Sequence, residues 1–311
     1  MKSIFPALTK LVVLALLLTA CGFPTTPEAP ANLLAEIQAR GTIRMATDVA
    51  FPPNSEVVEG AVRPADTKCG PDEHAAAELE GFDIDVNVEL AKRLGVEPCF
   101  VTPDWEVVIG GNWADRFDIA IESMTITESR MENLWFAQPY KSVPEGFFVH
   151  VDSSLTDPTQ LSGKRVGVCS GTTYEFYLER TLVMPGVDVE FIVEDAEIVG
   201  YDTDSTALED LAVGDGVRLD GVMTETPLGQ HMIANGSPLK QLGGVAYYEH
   251  SAPAIDKAHS VDPIPFVKKV TEIIREMHAD GTLANLAAKY FDHDATTGAA
   301  QFDWDALGQF E

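Results

Sequence analysis

The chain is 311 residues long and sets 49 acidic against 21 basic side chains, a formal charge of −28 at pH 7. A field of that sign repels phosphate backbones and anionic headgroups, which argues against nucleic acid or an anionic membrane surface as a partner. Beyond its first segment the chain is longer than one ordinary domain, so two are expected.

Lys2 and Lys10 are the only charged side chains before an apolar stretch from Leu11 to Ala20. That stretch is too short to span a bilayer and suits the core of a secretory leader. It ends Leu18-Thr19-Ala20-Cys21-Gly22, which resembles the lipobox of bacterial lipoproteins. The resemblance implies cleavage before Cys21 and acylation of that residue, and several acyl chains anchor stably where one does not. Residues 1–20 are therefore read as a signal peptide and 21–40 as a lipid-anchored tether and lead-in, with a Gly-, Pro-, Thr- and Ala-rich stretch at 22–32. No later segment is long and apolar enough to cross a bilayer. The remainder is expected outside the cytoplasm, held to the cell membrane by its lipid.

The body then reads twice through one grammar. Thr42–Thr47 predicts a strand, followed by an acidic insertion at 56–80. A helix is predicted near Asp83–Leu94, where Ile84, Val88, Ala91 and Leu94 recur at helical spacing and Gly95 can close the end. Cys99–Thr102 reads as a strand and Trp105–Asn112 as a short helix. Arg116-Phe117-Asp118-Ile119-Ala120-Ile121 leads into a further strand. In the second pass Arg165–Cys169 is a strand, Thr173–Leu182 a helix, Val187–Val193 a strand and Ser205–Val213 a helix. Arg218-Leu219-Asp220-Gly221-Val222-Met223 then repeats the strand entry. Strands alternating with helices imply a mostly parallel sheet in each of two α/β lobes. Ligands of such sheets lie beyond the carboxyl ends of the strands, at 48–53, 122–127, 170–173 and 224–226.

Residues 116–140 carry the most chemistry. Ile119, Ala120 and Ile121 read as a buried strand. Ser123, Thr125 and Thr127 then offer hydroxyls and backbone N–H groups where a helix is expected to begin, and a helix start attracts anions. Arg130 adds a forked, permanently charged donor set suited to a carboxylate. The segment reads either as a pocket for a small carboxylic acid or as a strand, a capped helix and a surface Arg. Towards the C-terminus, Pro265 can open a helix whose shared face is Phe266, Val270, Ile273, Ile274 and Met277. Asp280-Gly281 breaks it, and Leu283, Leu286, Ala287, Tyr290 and Phe291 predict another.

Without Cys21, three cysteines remain, and in an oxidising compartment two can pair. Cys69 sits in the Gly- and Pro-flanked insertion and Cys99 beside a predicted strand, on the far side of one helix. A Cys69–Cys99 disulfide is expected, with Cys169 a free buried thiol in an apolar run.

From residue 41 to about 291 the chain resembles extracellular solute-binding proteins of family 3, the amino-acid receptors of ABC importers. The resemblance rests on Gly41-Thr42-Ile43-Arg44, Thr47-Asp48, Phe51-Pro52-Pro53, Gly81-Phe82-Asp83-Ile84-Asp85, Asp118 and the 123–130 segment. Gln138-Pro139-Tyr140, Val166-Gly167 with Gly171-Thr172-Thr173, and Asp280-Gly281-Thr282-Leu283 complete it. It implies a type 2 periplasmic-binding-protein fold, two doubly wound α/β lobes joined by two crossover strands and closing on a ligand. The lobes would be 41–143 with 247–292, and 144–246, leaving a tail at 293–311, with crossovers near 142–148 and 244–248. By resemblance Arg130 holds the ligand carboxylate, helped by Thr125 and Thr172. Glu225 takes the α-amino group, Phe51 and Trp105 form aromatic walls, and Asp48 and Glu122 set side-chain selectivity. The partners implied are a membrane permease with ATPase subunits. A monomer with no cofactor and no metal is expected.

Three acids near one Arg favour a cationic ligand such as arginine, lysine or a related amine. An uncharged polar amino acid fits if Glu122 points away or pairs with Arg116. Two rivals use the same fold: a cyclohexadienyl-type dehydratase with Glu225 or Glu122 as general acid, and a free-standing ligand sensor. The chain shows no Ser-His-Asp order, no Gly-rich nucleotide loop and no metal-ligand spacing among its seven histidines.

Overall fold

The computed structural model describes residues 30–310, so the expected signal peptide and Cys21 lie outside the described residues. Helix α1 (Leu33–Arg40) comes first. Asn32 caps it, its Oδ1 accepting the Ala35 N–H at 3.0 Å. Leu33 and Ile37 are buried, so this part of the expected lead-in belongs to the first core. The chain continues through β1 (Thr42–Ala46) and the short strands β2 (Ala50–Phe51), β3 (Ser55–Val57), β4 (His74–Ala75) and β5 (Leu79–Glu80). Helix α2 (Phe82–Leu94), β6 (Glu97–Val101), helix α3 (Trp105–Gly110), β7 (Ile119–Ala120) and β8 (Leu134–Phe136) follow.

A second run of elements comprises β9 (Lys141–His150), β10 (Arg165–Cys169), helix α4 (Thr173–Leu178), β11 (Glu197–Tyr201) and helix α5 (Asp204–Ala212). Then come β12 (Gly221–Glu225), helix α6 (Thr226–Ala234) and β13 (Leu239–Ser251). β14 (Ala254–Asp256) and helices α7 (Ile264–Ala279), α8 (Thr282–Ala287) and α9 (Thr297–Ala300) return to the first body. The strands form a six-stranded sheet in the order β4-β6-β1-β7-β14-β8, a five-stranded sheet β11-β10-β12-β9-β13, and a small sheet β2-β3-β5. Among the described residues no helix is long and apolar enough to cross a membrane.

The internal repeat is structural. In each large sheet the first parallel strand lies between the second and the third, as β6-β1-β7 and β11-β10-β12. The acid of each repeated entry does the same work. Asp118 accepts the Arg44 N–H at the start of the first sheet, and Asp220 accepts the Arg165 N–H in the second. Each acid also pairs with the guanidinium of the arginine whose N–H it holds.

Helix α2 shows why these residues make a helix here. Asp83 and Asp85 sit in its first turn and Lys92 and Arg93 in its last, each matching the helix dipole. Gly95 closes it in the left-handed conformation, its N–H reaching Ala91 and Lys92 carbonyls. Gly81, at φ +130, precedes it. A Cβ there would fall 2.2 Å from the Asn54 carbonyl oxygen, so glycine lets the Asn54 loop lie against the helix start. The buried face of α2 packs with Phe266, Val270, Ile273, Ile274 and Met277 of α7 in the first core. Burial of each such side chain contributes about 1.5–3 kcal/mol.

β9 and β13 are the long antiparallel strands that leave the first sheet and return to it. β9 is buried at all ten positions. The two ends meet the first body where Tyr140 donates its N–H to the Ser251 carbonyl at 2.9 Å and Thr125 bridges Ser251.

Three expectations fail locally. No α-helix starts at 123–127. Thr125 is drawn into the bridge with Ser251, Ser123 has φ +61, and the only helical turn is the 3-10 turn Arg130–Glu132, over which the Thr127 hydroxyl accepts the Arg130 N–H. Residues 187–193 are not a strand of the sheet, and the partner of β10 is Glu197–Tyr201 instead. Val187, Val189 and Val193 do pack on the second core. Their backbone, however, is held by Tyr177, whose hydroxyl donates to the Glu190 carbonyl and accepts the Ile192 N–H. Helix α4 also stops at Leu178, two residues before Arg180 turns left-handed at φ +62. The polar tail folds back: Trp304 is buried and donates Nε1–H to the Phe136 carbonyl at 2.7 Å.

The 56–80 insertion is stapled by the disulfide Cys69–Cys99. Arg63 braces it, donating to the carbonyls of Cys69, Gly70 and Glu73. Cys169 is a free buried thiol.

Candidate functional site

The structure brings Arg130, Trp105, Thr125 and Gly171 together and sets Glu122 near Arg130 and Asp48, while Glu225 lies in a group with Lys141 and Asn54. Arg130 is buried, and its guanidinium is positioned by carbonyls from both sides. Nη1 donates to Thr125 O at 2.9 Å and Nη2 to Gly171 O at 3.0 Å. Its Cζ lies 5.1 Å from the Trp105 ring centroid, a cation–π contact. Arg130 Nε and Trp105 Nε1 are both buried without a partner. Gly171 lies against the same tryptophan, where a Cβ would come within 2.7 Å of Ile109 Cδ1.

Glu225 ends β12 and is buried, but its two oxygens are already engaged. Oε1 accepts from Lys141 Nζ at 2.9 Å and Oε2 from Asn54 Nδ2. Lys141, the first residue of β9, gives its other two donors to Asn54 Oδ1 and Ser123 Oγ, each at 2.7 Å. Asp83 Oδ1 stands 3.8 Å from the ammonium. Burial pulls the Lys141 ammonium down, but Asp83 and Glu225 outweigh it and hold it above its ordinary value. Burial pushes the Asp83 carboxyl up to about 6, with Lys141 and the Ser123 hydroxyl opposing. Glu225 retains lone pairs, since a carboxylate accepts about four hydrogen bonds.

Glu122 is buried and its Oε1 has no partner. It does not pair with Arg116, whose Nε donates instead to the Trp113 carbonyl. Burial raises its carboxyl well above the usual range, and the charges of Asp48 and Asp83 add to that while Arg130 opposes. Asp48 is partly buried and accepts the Ala50 N–H at 2.7 Å, ordering the loop after β1. Thr172 spends its hydroxyl proton on the Cys169 carbonyl at 2.6 Å. Phe51 reaches across to the second body, where it joins an apolar cluster with Leu208, Val222 and Leu228. Beside it Ser205 donates to the Ala50 carbonyl at 2.7 Å.

The sequence reading missed Lys141, Asn54, Glu145 and Glu249. Glu249, on β13, is buried and accepts from the Thr173 hydroxyl at 2.7 Å. Glu145, on β9, is fully buried. The available signal was an ionisable residue within an apolar run, Val143-Pro144-Glu145-Gly146-Phe147-Phe148-Val149. A charge in such a run needs a partner or a function. The sum is a buried site rich in carboxylates with two buried cations, Arg130 and Lys141.

The chain belongs to the bacterial extracellular solute-binding proteins of family 3, whose profile matches residues 66–293. It is similar to the L-cystine-binding protein TcyJ of Escherichia coli K12, at 29% identity over 91% of this chain and 95% of that one. Its structure resembles a mutant of ArgBP from T. maritima, with a TM-score of 0.67 and 25% identity over 84% of this chain and all of the other. It also resembles an ancestral amino-acid-binding protein described as a precursor of cyclohexadienyl dehydratase, with a TM-score of 0.66 and 25% identity over 83% of this chain and 99% of that one. The fold is accordingly that of the type 2 amino-acid-binding proteins.

Proposed function

We propose that this protein is the receptor of an amino-acid ABC importer, capturing a polar or cationic amino acid between two lobes and delivering it to a membrane permease with its ATPase. The lobes are residues 33–143 with 247–310, and 144–246, joined through β9 and β13, since α1 and the tail pack on the first core. The observation that carries this reading is Arg130, buried beneath Trp105 with Nε unpartnered and held by carbonyls from both bodies. A buried guanidinium so held suits a carboxylate, because the fork pairs two oxygens at once. Thr125 flanks the carboxylate, the Thr172 backbone N–H at the start of α4 donates to it from across the cleft, and Trp105 and Phe51 wall it. The remaining lone pairs of Glu225 receive the α-ammonium, while Glu122 and Asp48 face the ligand side chain. Splitting these groups between lobes couples closure to the ligand, since only the closed form pairs both of its ends. Acylation of Cys21 would keep the receptor beside its permease on the extracytoplasmic face of the cell membrane.

A thermal-shift screen of the purified protein against amino acids and amines tests this. A ligand that binds only the folded state raises Tm by mass action. A shift with one amino acid, lost in Arg130→Ala, is expected. No shift with any amino acid would overturn the reading.

A second reading is favoured by Glu122, a buried carboxyl near Arg130 with an unpartnered Oε1 and a pKa that burial raises well above the usual carboxylate range. A neutral acid beside a carboxylate clamp is what dehydration of a cyclohexadienyl acid requires. Turnover of prephenate, abolished in Glu122→Gln, would establish it. The receptor reading predicts no turnover.

A further inference from the structure

We propose that Glu145, together with Glu249, forms a cation subsite on the second sheet that selects amino acids with a positively charged side chain. The proposal rests on the amino-acid-receptor reading and names the ligand class within it.

Glu145 is fully buried on the central hinge strand β9, and neither of its carboxylate oxygens has a partner. In the sheet it lies opposite Glu225 of β12 on one side and Tyr247 of β13 on the other. Alternation along the strands puts directly opposed side chains on one face, so Glu145 shares the face from which Glu225 reaches the site. The nearby lysine cannot serve it. Lys141 has three donors, and they are spent on Glu225, Asn54 and Ser123. Its other close charges are acids: Glu249 and Glu225 add to burial in pushing the Glu145 carboxyl well above its ordinary range.

Glu249 joins this group to the carboxylate clamp. It lies opposite Val143, two residues from Glu145 and so on the same face, and it accepts from Thr173, two residues after the Gly171 carbonyl that holds Arg130. Tyr174 and Tyr247 are buried beside the two acids, which with burial keep both phenols neutral. Neutral aromatic rings beside two carboxylates suit an ammonium or guanidinium, through ion pairing and cation–π attraction. An amino acid whose carboxylate sits on Arg130 and whose side-chain cation reaches Glu145 would pair both ends. A neutral side chain would leave Glu145 unpaired and obliged to hold a proton.

Isothermal titration of the full chain with arginine, lysine, citrulline, glutamine and the diamine putrescine tests this, in wild type, Glu145→Gln and Glu249→Gln. Each amide keeps the shape and removes the charge, and circular dichroism and Tm would verify folding. Wild type is expected to prefer arginine to citrulline by at least about 30-fold, about 2 kcal/mol. Either amide variant is expected to reduce that preference at least tenfold. An unchanged preference in the folded variants, or equal binding of arginine and citrulline by wild type, would overturn the subsite while leaving the receptor reading intact. Putrescine binding lost in Glu145→Gln, with no amino acid bound, would support the subsite and overturn the amino-acid reading. Binding of nothing in the panel would overturn both.

Discussion

Lys141 Nζ stands 2.9 Å from Glu225 Oε1, with neither side chain open to solvent. The pair ties the first residue of a hinge strand to the last residue of the strand beside it, and Asn54 closes the triangle from the first body. A buried pair is weak evidence of net stability, but removing one member strands the other charge. Lys141→Met is therefore expected to destabilise the protein by about 3–5 kcal/mol, read as a fall in the urea midpoint. The double change Lys141→Met with Glu225→Gln should recover much of the loss. Equal loss in the single and double variants would show that the pair is not the source.

The buried acids make stability depend on pH in an unusual direction. Asp204 is pushed up to about 7, chiefly by burial, with the Thr224 hydroxyl opposing and the charges of Asp48, Glu225 and Glu249 adding to it. The folded protein thus keeps a proton that the unfolded chain has released. Its contribution is full below about pH 4 and is lost as pH rises through 7. The size is of order 4 kcal/mol. Asp204→Asn should remove that part of the decline, seen in urea midpoints measured from pH 4 to pH 8. Parallel pH curves for wild type and variant would refute it.

Gly171 is where the second body touches the buried Arg130. Its carbonyl accepts from Arg130, its φ is +72, and a Cβ would strike Ile109. Gly171→Ala imposes a left-handed alanine, about 1–2 kcal/mol, and pushes against α3. Ligand affinity should fall about tenfold or more, with a larger radius of gyration in the ligand-bound state by small-angle scattering. Unaltered affinity would place this contact outside the closure.

The Cys69–Cys99 bridge spans 30 residues of sequence. On the chain-entropy account a loop of that size contributes about 3–4 kcal/mol. Reduction, or Cys69→Ser with Cys99→Ser, should lower Tm and expose residues 56–80 to limited proteolysis. The ligand panel should be unchanged, because the bridge packs with Ala75 in its own small cluster and not among the site residues.

Much of this was legible in the sequence, for identifiable reasons. Helical spacing located α2 and α7, because their apolar faces repeat over several turns. The paired Arg-x-Asp entries announced the internal repeat, since each acid holds the N–H of an opening strand. Of the candidate site, strand-end topology pointed to Glu122, the forked donor set of Arg130 singled out that residue, and Trp105 came only from the family resemblance. What sequence could not supply was which partners each charge would find. Glu225 was read as a free amine receiver, yet Lys141 and Asn54 come to it from 84 and 171 residues away. Glu145 passed unnoticed because its neighbours read as core. Residues 187–193 carry a strand's valines, but the Tyr177 hydroxyl holds their backbone while the sheet edge goes to 197–201.

The most direct test of the central claim is titration calorimetry of wild type and Arg130→Ala with the common amino acids. The account predicts one amino acid bound by wild type with Kd near or below about 1 µM, about −8 kcal/mol. It also predicts at least about 30-fold weaker binding in the variant, since truncating a buried charge partner costs about 2–5 kcal/mol. Binding of the same amino acid with equal affinity by both proteins, or by neither, would contradict it.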